Sequence, residues 1–376
     1  MKKSLFTLTM LLLTSLAAQA QSKEAQLQRI RNLYAAAKQQ AENNGKDGRA
    51  PLDMHIVIND GEPVSDDFAI TEQTNLYYYF NKEKTEADTD FLELAKCYLI
   101  IMKWESYGHT NYREMVFDPE TSALLFSYLR GETDAAFVVE TRYYYDNDGN
   151  LIDQKHMVGG QEATAEMHTW STAEGDKEEA ARYIAVFNKL VGHNDEFPPS
   201  PAEEPSAAAK SAQMKFIRDT YAQAKQKTEQ DKHAMLPLNT QVTIHDLRGE
   251  DFPPLTSELN YYFNRTDGKN PSTGLYDNLR NCYYLSEHRT CMYFDNYSEY
   301  LFDPSATTLY PQQSIPLIFS YSYSFEEGTK REWRYYFDQH GNCIETKSEA
   351  EEIDYGYSDR MAVRTYLEAF NKLLGQ

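Results

Sequence analysis

Cysteine is scarce: four residues in a chain of 376 do not make a disulfide framework. Positive charge is short as well, with 37 Lys plus Arg against 58 Asp plus Glu and a formal net charge of -21. Sequence-independent binding to nucleic acid or to an anionic membrane needs surplus cations to meet phosphates, so both classes are set aside. Gly-rich phosphate loops, dinucleotide fingerprints, Gly-x-Ser-x-Gly elbows and Ser-x-x-Lys pairs are all missing. The nine His are scattered, with no HExxH and no close pair spaced for one helix face, so the sequence supports neither a metal site nor a cofactor. The motif-marked enzyme classes thus lose their evidence, and the balance falls against an enzyme.

Long apolar runs are lacking except at the start. Lys2 and Lys3, the run Leu5 to Leu16 and then Ala18-Gln19-Ala20 read as an export signal over residues 1–20, with a small-x-small cleavage site. About a dozen apolar residues fall short of the roughly 20 that span a bilayer. No Cys follows the run to accept a lipid anchor, and no later segment is apolar enough to insert. The expected location is periplasmic or secreted, with no membrane insertion after cleavage.

What is abundant is repetition. Ile30-Arg31-Asn32-Leu33-Tyr34 with Ala37-Lys38-Gln39 recurs as Ile217-Arg218-Asp219-Thr220-Tyr221 with Ala224-Lys225-Gln226. Pro51-Leu52, Tyr78-Tyr79-Phe80-Asn81, Cys97-Tyr98 and Phe117-Asp118-Pro119 recur as Pro237-Leu238, Tyr261-Tyr262-Phe263-Asn264, Cys282-Tyr283 and Phe302-Asp303-Pro304. Glu140 to Asp146 answers to Glu332 to Asp338, and Phe187-Asn188-Lys189-Leu190 to Phe370-Asn371-Lys372-Leu373. Seven blocks in one order, at offsets between 183 and 192, mark a duplication. The period is far beyond that of a solenoid, and each copy is long enough to bury a core of its own. Residues 21–192 and 211–376 are therefore expected to be two tandem α+β domains. Between them, residues 193–210 carry four Pro and then a Ser/Ala run, which reads as a semi-rigid linker.

Within a copy, Leu27, Ile30, Tyr34, Ala37 and Ala41 form one helical stripe, repeated by Met214, Ile217, Tyr221 and Ala224. A closing helix carries Tyr183, Phe187 and Leu190, answered by Tyr366, Phe370 and Leu373. Short runs rich in Tyr, Phe and Val, broken by Asn, Asp, Gly and Pro, lie between and read as an antiparallel meander. The helices are expected to cover one face of each sheet and leave the other wet. If both faces are covered, loops such as Glu62 to Thr74 and Leu247 to Ser257 become the places for a binding surface. Alternation in Glu140 to Tyr145 sends Thr141, Tyr143 and Tyr145 toward the core and Glu140, Arg142 and Tyr144 the other way.

At these residues the chain resembles a loose group of uncharacterised exported bacterial proteins, in which an Ile-Arg-x-x-Tyr helix precedes strands ending Arg-Tyr-Tyr-Phe-Asp-x-x-Gly. The match runs over Ile217 to Tyr221 and Arg334 to Ile344, with Ile30 to Tyr34 and Arg142 to Ile152 as the first copy. The resemblance implies export and fold and carries no activity.

The candidate binding residues are Glu140, Arg142 and Tyr144 with Glu332, Arg334 and Tyr336, since Tyr and Arg are enriched at contact surfaces. Their bland reading is a pair of sheet salt bridges worth little. Asp146 to Asn150 is read as a hairpin turn and not a calcium loop, because a loop with Gly149 at its sixth position would put Tyr144 first and Lys155 last, where oxygen ligands are required. Cys291 and Cys343 have no counterparts in the first copy, which suits a copy-specific disulfide; the alternative is four buried free thiols. The functional expectation is a non-enzymatic exported protein that binds a partner protein or glycan through open sheet faces. The alternative is a hydrolase of envelope or dietary polymers acting through a carboxylate pair.

Overall fold

The structure, a computed structural model, describes residues 2–46, 50–60, 62–65, 68–70, 73–84, 93–106, 109–118, 120–132, 137–163, 172–191, 207–234, 237–246, 253–269, 276–304, 317–326, 328–338, 343–348 and 355–374. The first half holds α1 (Lys2–Asn43), β1 (Asp53–Asp60), β2 (Glu62–Ser65), β3 (Phe68–Ile70), β4 (Gln73–Lys84), β5 (Glu93–Ser106), β6 (His109–Phe117), β7 (Leu124–Glu132), β8 (Val138–Tyr145), β9 (Leu151–Val158), β10 (Gln161–Glu162) and α2 (Ala173–Val191). The second holds α3 (Ala207–Lys232), β11 (Leu238–Asp246), β12 (Leu255–Lys269), β13 (Tyr276–Thr290), β14 (Phe294–Phe302), β15 (Leu317–Glu326), β16 (Thr329–Phe337), β17 (Cys343–Ser348) and α4 (Tyr355–Leu373).

Two separate sheets are not what forms. Fifteen strands make one antiparallel sheet in the order β10-β9-β8-β7-β6-β5-β4-β1-β11-β12-β13-β14-β15-β16-β17, and β2 and β3 pair apart from it. The expectation of two tandem domains with their own cores is corrected by the β1–β11 seam, where Asp53 faces His245 and Asp60 faces Leu238 in unbroken register. Equivalent residues Ile56 and Val242 face each other, so a pseudo-twofold axis passes between them. Charge joins the halves beside the seam. Asp60 accepts from both Arg265 (2.7 Å) and Arg280 (2.6 Å), and its counterpart Asp246 pairs with Lys82 of the first half.

Both faces carry helices, the second only in part, against the expectation of one dry and one wet side. Meander strands such as β5 are apolar on both sides, with Cys97, Ile100 and Met102 facing one way and Tyr98, Leu99 and Ile101 the other. Strands of this kind demand cover on two faces. α2 and α4 lie together on the first face, where Lys189 reaches Glu368 at 2.7 Å. Beneath them runs a single core shared by both halves, from Met115 and Tyr78 through Ile56 and Val242 to Tyr261 and Phe302. Phe187 packs against Phe80 and Tyr78, and Phe370 repeats this against Phe263 and Tyr261. The second face carries two separate apolar pads instead. One lies under α1 (Ile30, Ala37, Leu99, Val116, Phe126) and one under α3 (Met214, Ile217, Ala224, Leu301, Phe319).

The local turn chemistry follows the sequence. Asp118 accepts the amides of Glu120 and Thr121 through Oδ1, and Gly149 takes the positive φ of the β8–β9 turn. The oxygens of Asp146 are occupied by that turn's own amides, from Asp148 at 3.0 Å and Asn150 at 2.8 Å. Burial raises the Asp146 pKa slightly, and these hydrogen bonds pull it below the usual carboxylate value. The counterpart turn at His340-Gly341 lies outside the described residues. The four Cys are free thiols. Cys291 sits at the β13–β14 turn, while Cys343 pairs with Phe337 at the far end of β16, so the strand length between them leaves no room for the copy-specific bridge; of the thiols, Cys97 and Cys282 are buried, Cys291 half-buried and Cys343 exposed. The last four residues of the expected linker, 207–210, already belong to α3; the rest, 193–206, lies outside the described residues.

Candidate functional site

α1 crosses only part of the second face. Its Arg29 reaches Asn147 and Asp118 at one end, and Asn44, the residue after its last turn, donates to Asp53 at the other, 2.7 Å away. Among the described residues, no helix covers the strand ends on the far side of that diagonal on this face. There Lys103, Glu105, Thr110 and Arg130 are exposed, and Tyr77, Tyr112, Tyr128, Glu140 and Arg142 are half-buried. Opposite them on the first face, Met102, Asn111, Arg113, Leu129, Val139 and Thr141 are buried. The pseudo-twofold repeats the arrangement beyond α3, where Glu258, Phe325, Lys330 and Arg334 are exposed and Tyr297, Tyr321, Tyr323 and Glu332 half-buried. Across the seam the two areas join through His55, Val57, Gln241 and Thr243, none of them buried. Among the described residues the result is one open band on a face otherwise closed by helices.

At the band's centre the His55 ring stacks on Tyr77 with centroids 4.2 Å apart, and Lys103 lies over the same tyrosine at 5.6 Å. Burial lowers the His55 pKa, against the opposing effects of Asn75 and Asp53, so the ring is neutral at physiological pH. An amide ladder of Gln73, Asn59 and Asn239 runs beside it, linked at 2.9 and 2.8 Å. Tyr297 stacks on Tyr323 at 5.5 Å toward the second end.

Each end carries the expected residues. Arg142 pairs with Glu140 at 3.3 Å and lies over Tyr128 at 5.4 Å. Arg334 pairs with Glu332 at 2.9 Å and lies over Tyr321 at 5.3 Å. The ion pairs run along one strand, two residues apart, and not across strands. Partial burial and the hydrogen bond to Glu140 push the Tyr128 phenol up to about 12, so it stays a proton donor. Tyr144 and Tyr336 are misassigned to this group. Tyr144 packs on Phe126 and Tyr336 on Phe319, inside the pads under α1 and α3. The tyrosines that accompany the arginines are Tyr128 and Tyr321 on the neighbouring strands.

Sequence reasoning missed the carboxylates that border the band. Glu114 is buried and accepts from Tyr34, Lys38 and Tyr112; Glu299 is buried and accepts from Tyr221, Lys225 (2.8 Å) and Tyr297 (2.8 Å). Burial alone would raise the Glu299 pKa, yet its three donors bring it below the ordinary value, so it is an anion locked between helix and sheet. The signal was present as Tyr112-x-Glu114-x-x-Phe117-Asp118-Pro119 and Tyr297-x-Glu299-x-x-Phe302-Asp303-Pro304. Lys38 and Lys225 stand four residues after Tyr34 and Tyr221, on the same helix stripe. These groups fasten α1 and α3 to the sheet and so fix the walls of the band.

No family model, curated protein or solved structure matches the chain.

Proposed function

We propose that the chain is an exported, non-enzymatic binding protein that contacts a partner protein or glycan through the open band. One observation carries this reading. The same Glu, Arg and Tyr group lies uncovered at equivalent places in both halves, Glu140, Arg142 and Tyr128 at one end and Glu332, Arg334 and Tyr321 at the other. A structural salt bridge would not need to stand on the part of the face that both helices avoid. Because both halves share one sheet, the two groups are held at a fixed separation, and a ligand that spans them gains affinity without new contacts.

The hydrolase alternative has less in its favour. Glu114 and Glu299 are shielded carboxylates of this face, and three donors saturate each of them. A general acid must instead keep a proton or give one up. Binding of the purified full chain to a glycan array and to envelope extracts of the exporting cell tests the proposal. The doubly substituted Arg142→Ala, Arg334→Ala chain should lose about tenfold or more in affinity. Undiminished binding by that variant removes the site.

A further inference from the structure

We infer that the band's ligand is an acidic glycan, a polysaccharide carrying carboxylate or sulfate groups; this rests on the binding reading above. The inference rests on a pair of like charges that strand register forces together twice. Arg142 on β8 faces Lys155 on β9, and Arg334 on β16 faces Lys347 on β17. Directly opposed residues on antiparallel strands have Cβ atoms about 5 Å apart on the same face, and like charges there are unfavourable. One such pair would be a local accident. Its recurrence at matching positions in both halves points to an anion that bridges the two cations.

Nearby carboxylates do not cancel these charges. Glu140 serves Arg142, and Asp153 on β9 is taken by Lys23 of α1 at 3.0 Å. Lys155 is exposed and has no ion-pair partner among the described residues. In the second half Glu332 is shared by Lys330 and Arg334, and Glu345 by Lys210 and Lys347. Each end therefore keeps a cation in excess, on a chain whose formal net charge is -21. Such local reversal against an acidic background marks where an anion is meant to sit.

A glycan suits this surface better than an acidic protein. Protein interfaces centre on a desolvated apolar anchor. The band offers half-exposed Tyr rings, amides and charges, with Ile101, Met157 and Phe325 as the larger apolar side chains off the seam among the described residues. Flat aromatic and polar side chains along a sheet match the stacked faces and hydroxyls of sugars. Eleven strand steps separate β8 from β16, roughly 50 Å along the sheet at about 4.8 Å per step. A polymer reaches both ends, and a short oligosaccharide only one.

The test uses the full chain with polygalacturonate and dextran sulfate as probes, against methyl-esterified polygalacturonate, dextran, tetragalacturonate and poly-glutamate. At least one acidic glycan should bind about tenfold or more tightly than its neutral counterpart, and weaken as salt rises from low to physiological strength. Lys155→Gln with Lys347→Gln should cost about tenfold, while Lys215→Gln with Lys372→Gln, exposed lysines of α3 and α4 away from the band, should cost nothing measurable. Tetragalacturonate should bind more weakly than the polymer. Both Gln pairs replace exposed side chains, and an unchanged melting transition verifies folding. Equal binding of neutral and acidic glycans overturns the inference and leaves the proposed function standing. Equal loss with the remote pair, or poly-glutamate binding as tightly as the glycans, overturns the glycan assignment. Failure of every glycan, with an envelope protein captured in an Arg142- and Arg334-dependent way, does the same.

Discussion

The two faces of the sheet use the same strands to opposite ends. On the first, α2 and α4 touch each other and seal a core that runs unbroken from β7 to β16. On the second, α1 and α3 stay apart over separate pads and leave the band between them. The first face makes the halves one body, and the second gives that body a surface. Stability should therefore be concentrated on one side and recognition on the other.

The largest effect expected from this contrast is at Phe187, fully buried against Tyr78 and Phe80. Phe187→Ala should cost about 3–5 kcal/mol. Because the core is common property, calorimetry should show one unfolding transition moved as a whole; a second transition left at its original temperature would break the comparison. Next comes Glu299→Gln, which removes an anion from three donors and should cost about 1–3 kcal/mol at neutral pH. The folded-state pKa of Glu299 lies below its reference value of 4.5. Its contribution is therefore complete above that value and fades as pH falls through the lowered one. Wild type and variant should converge as pH falls below the reference value, and a gap that stays constant throughout acid titration would argue against the charge as its source. Ile30→Val, in the pad under α1, should cost about 0.5–1.5 kcal/mol. Denaturant titration would measure it, and a cost matching that of the shared core would erase the distinction between the faces. Smallest is Arg142→Ala, which should leave stability within about 0.5 kcal/mol of wild type. A larger loss would make the arginine a structural member of the sheet.

Much of the local structure was legible, and the long-range pairing was not. Thr141, Tyr143 and Tyr145 point to the core as alternation required, and so do Trp333, Tyr335 and Phe337. The duplication and both helix stripes are in the sequence because neighbouring residues in the chain set them. The seam is different. β1 alternates Met54, Ile56 and Ile58 with Asp53, His55 and Asn59, the pattern of any half-buried strand, and nothing in it says whether its free edge meets solvent or β11. Two-sided helix cover could have been read from Cys97 to Met102, a run without a polar residue, since such strands are buried on both faces. For the candidate site, Glu140, Arg142, Glu332 and Arg334 could be singled out because they repeat. Tyr128 and Tyr321 were not, because they join the arginines only through strand pairing.

The axis between Ile56 and Val242 has a historical reading. A contact of this isologous kind between two separate, identical chains forces every change to occur twice, once on each side. Once both partners belong to one polypeptide, the sides are free to diverge. They have: at one end of the seam Asp53 holds His245 at 2.6 Å, and at the symmetric end Asn239 meets Asn59. Beneath Tyr183 sits Met102, whereas beneath Tyr366 the same place is taken by Glu287 with Arg289 close by. Fusion thus gave an ancestral self-pairing the licence to become asymmetric while guaranteeing one copy of each side per molecule.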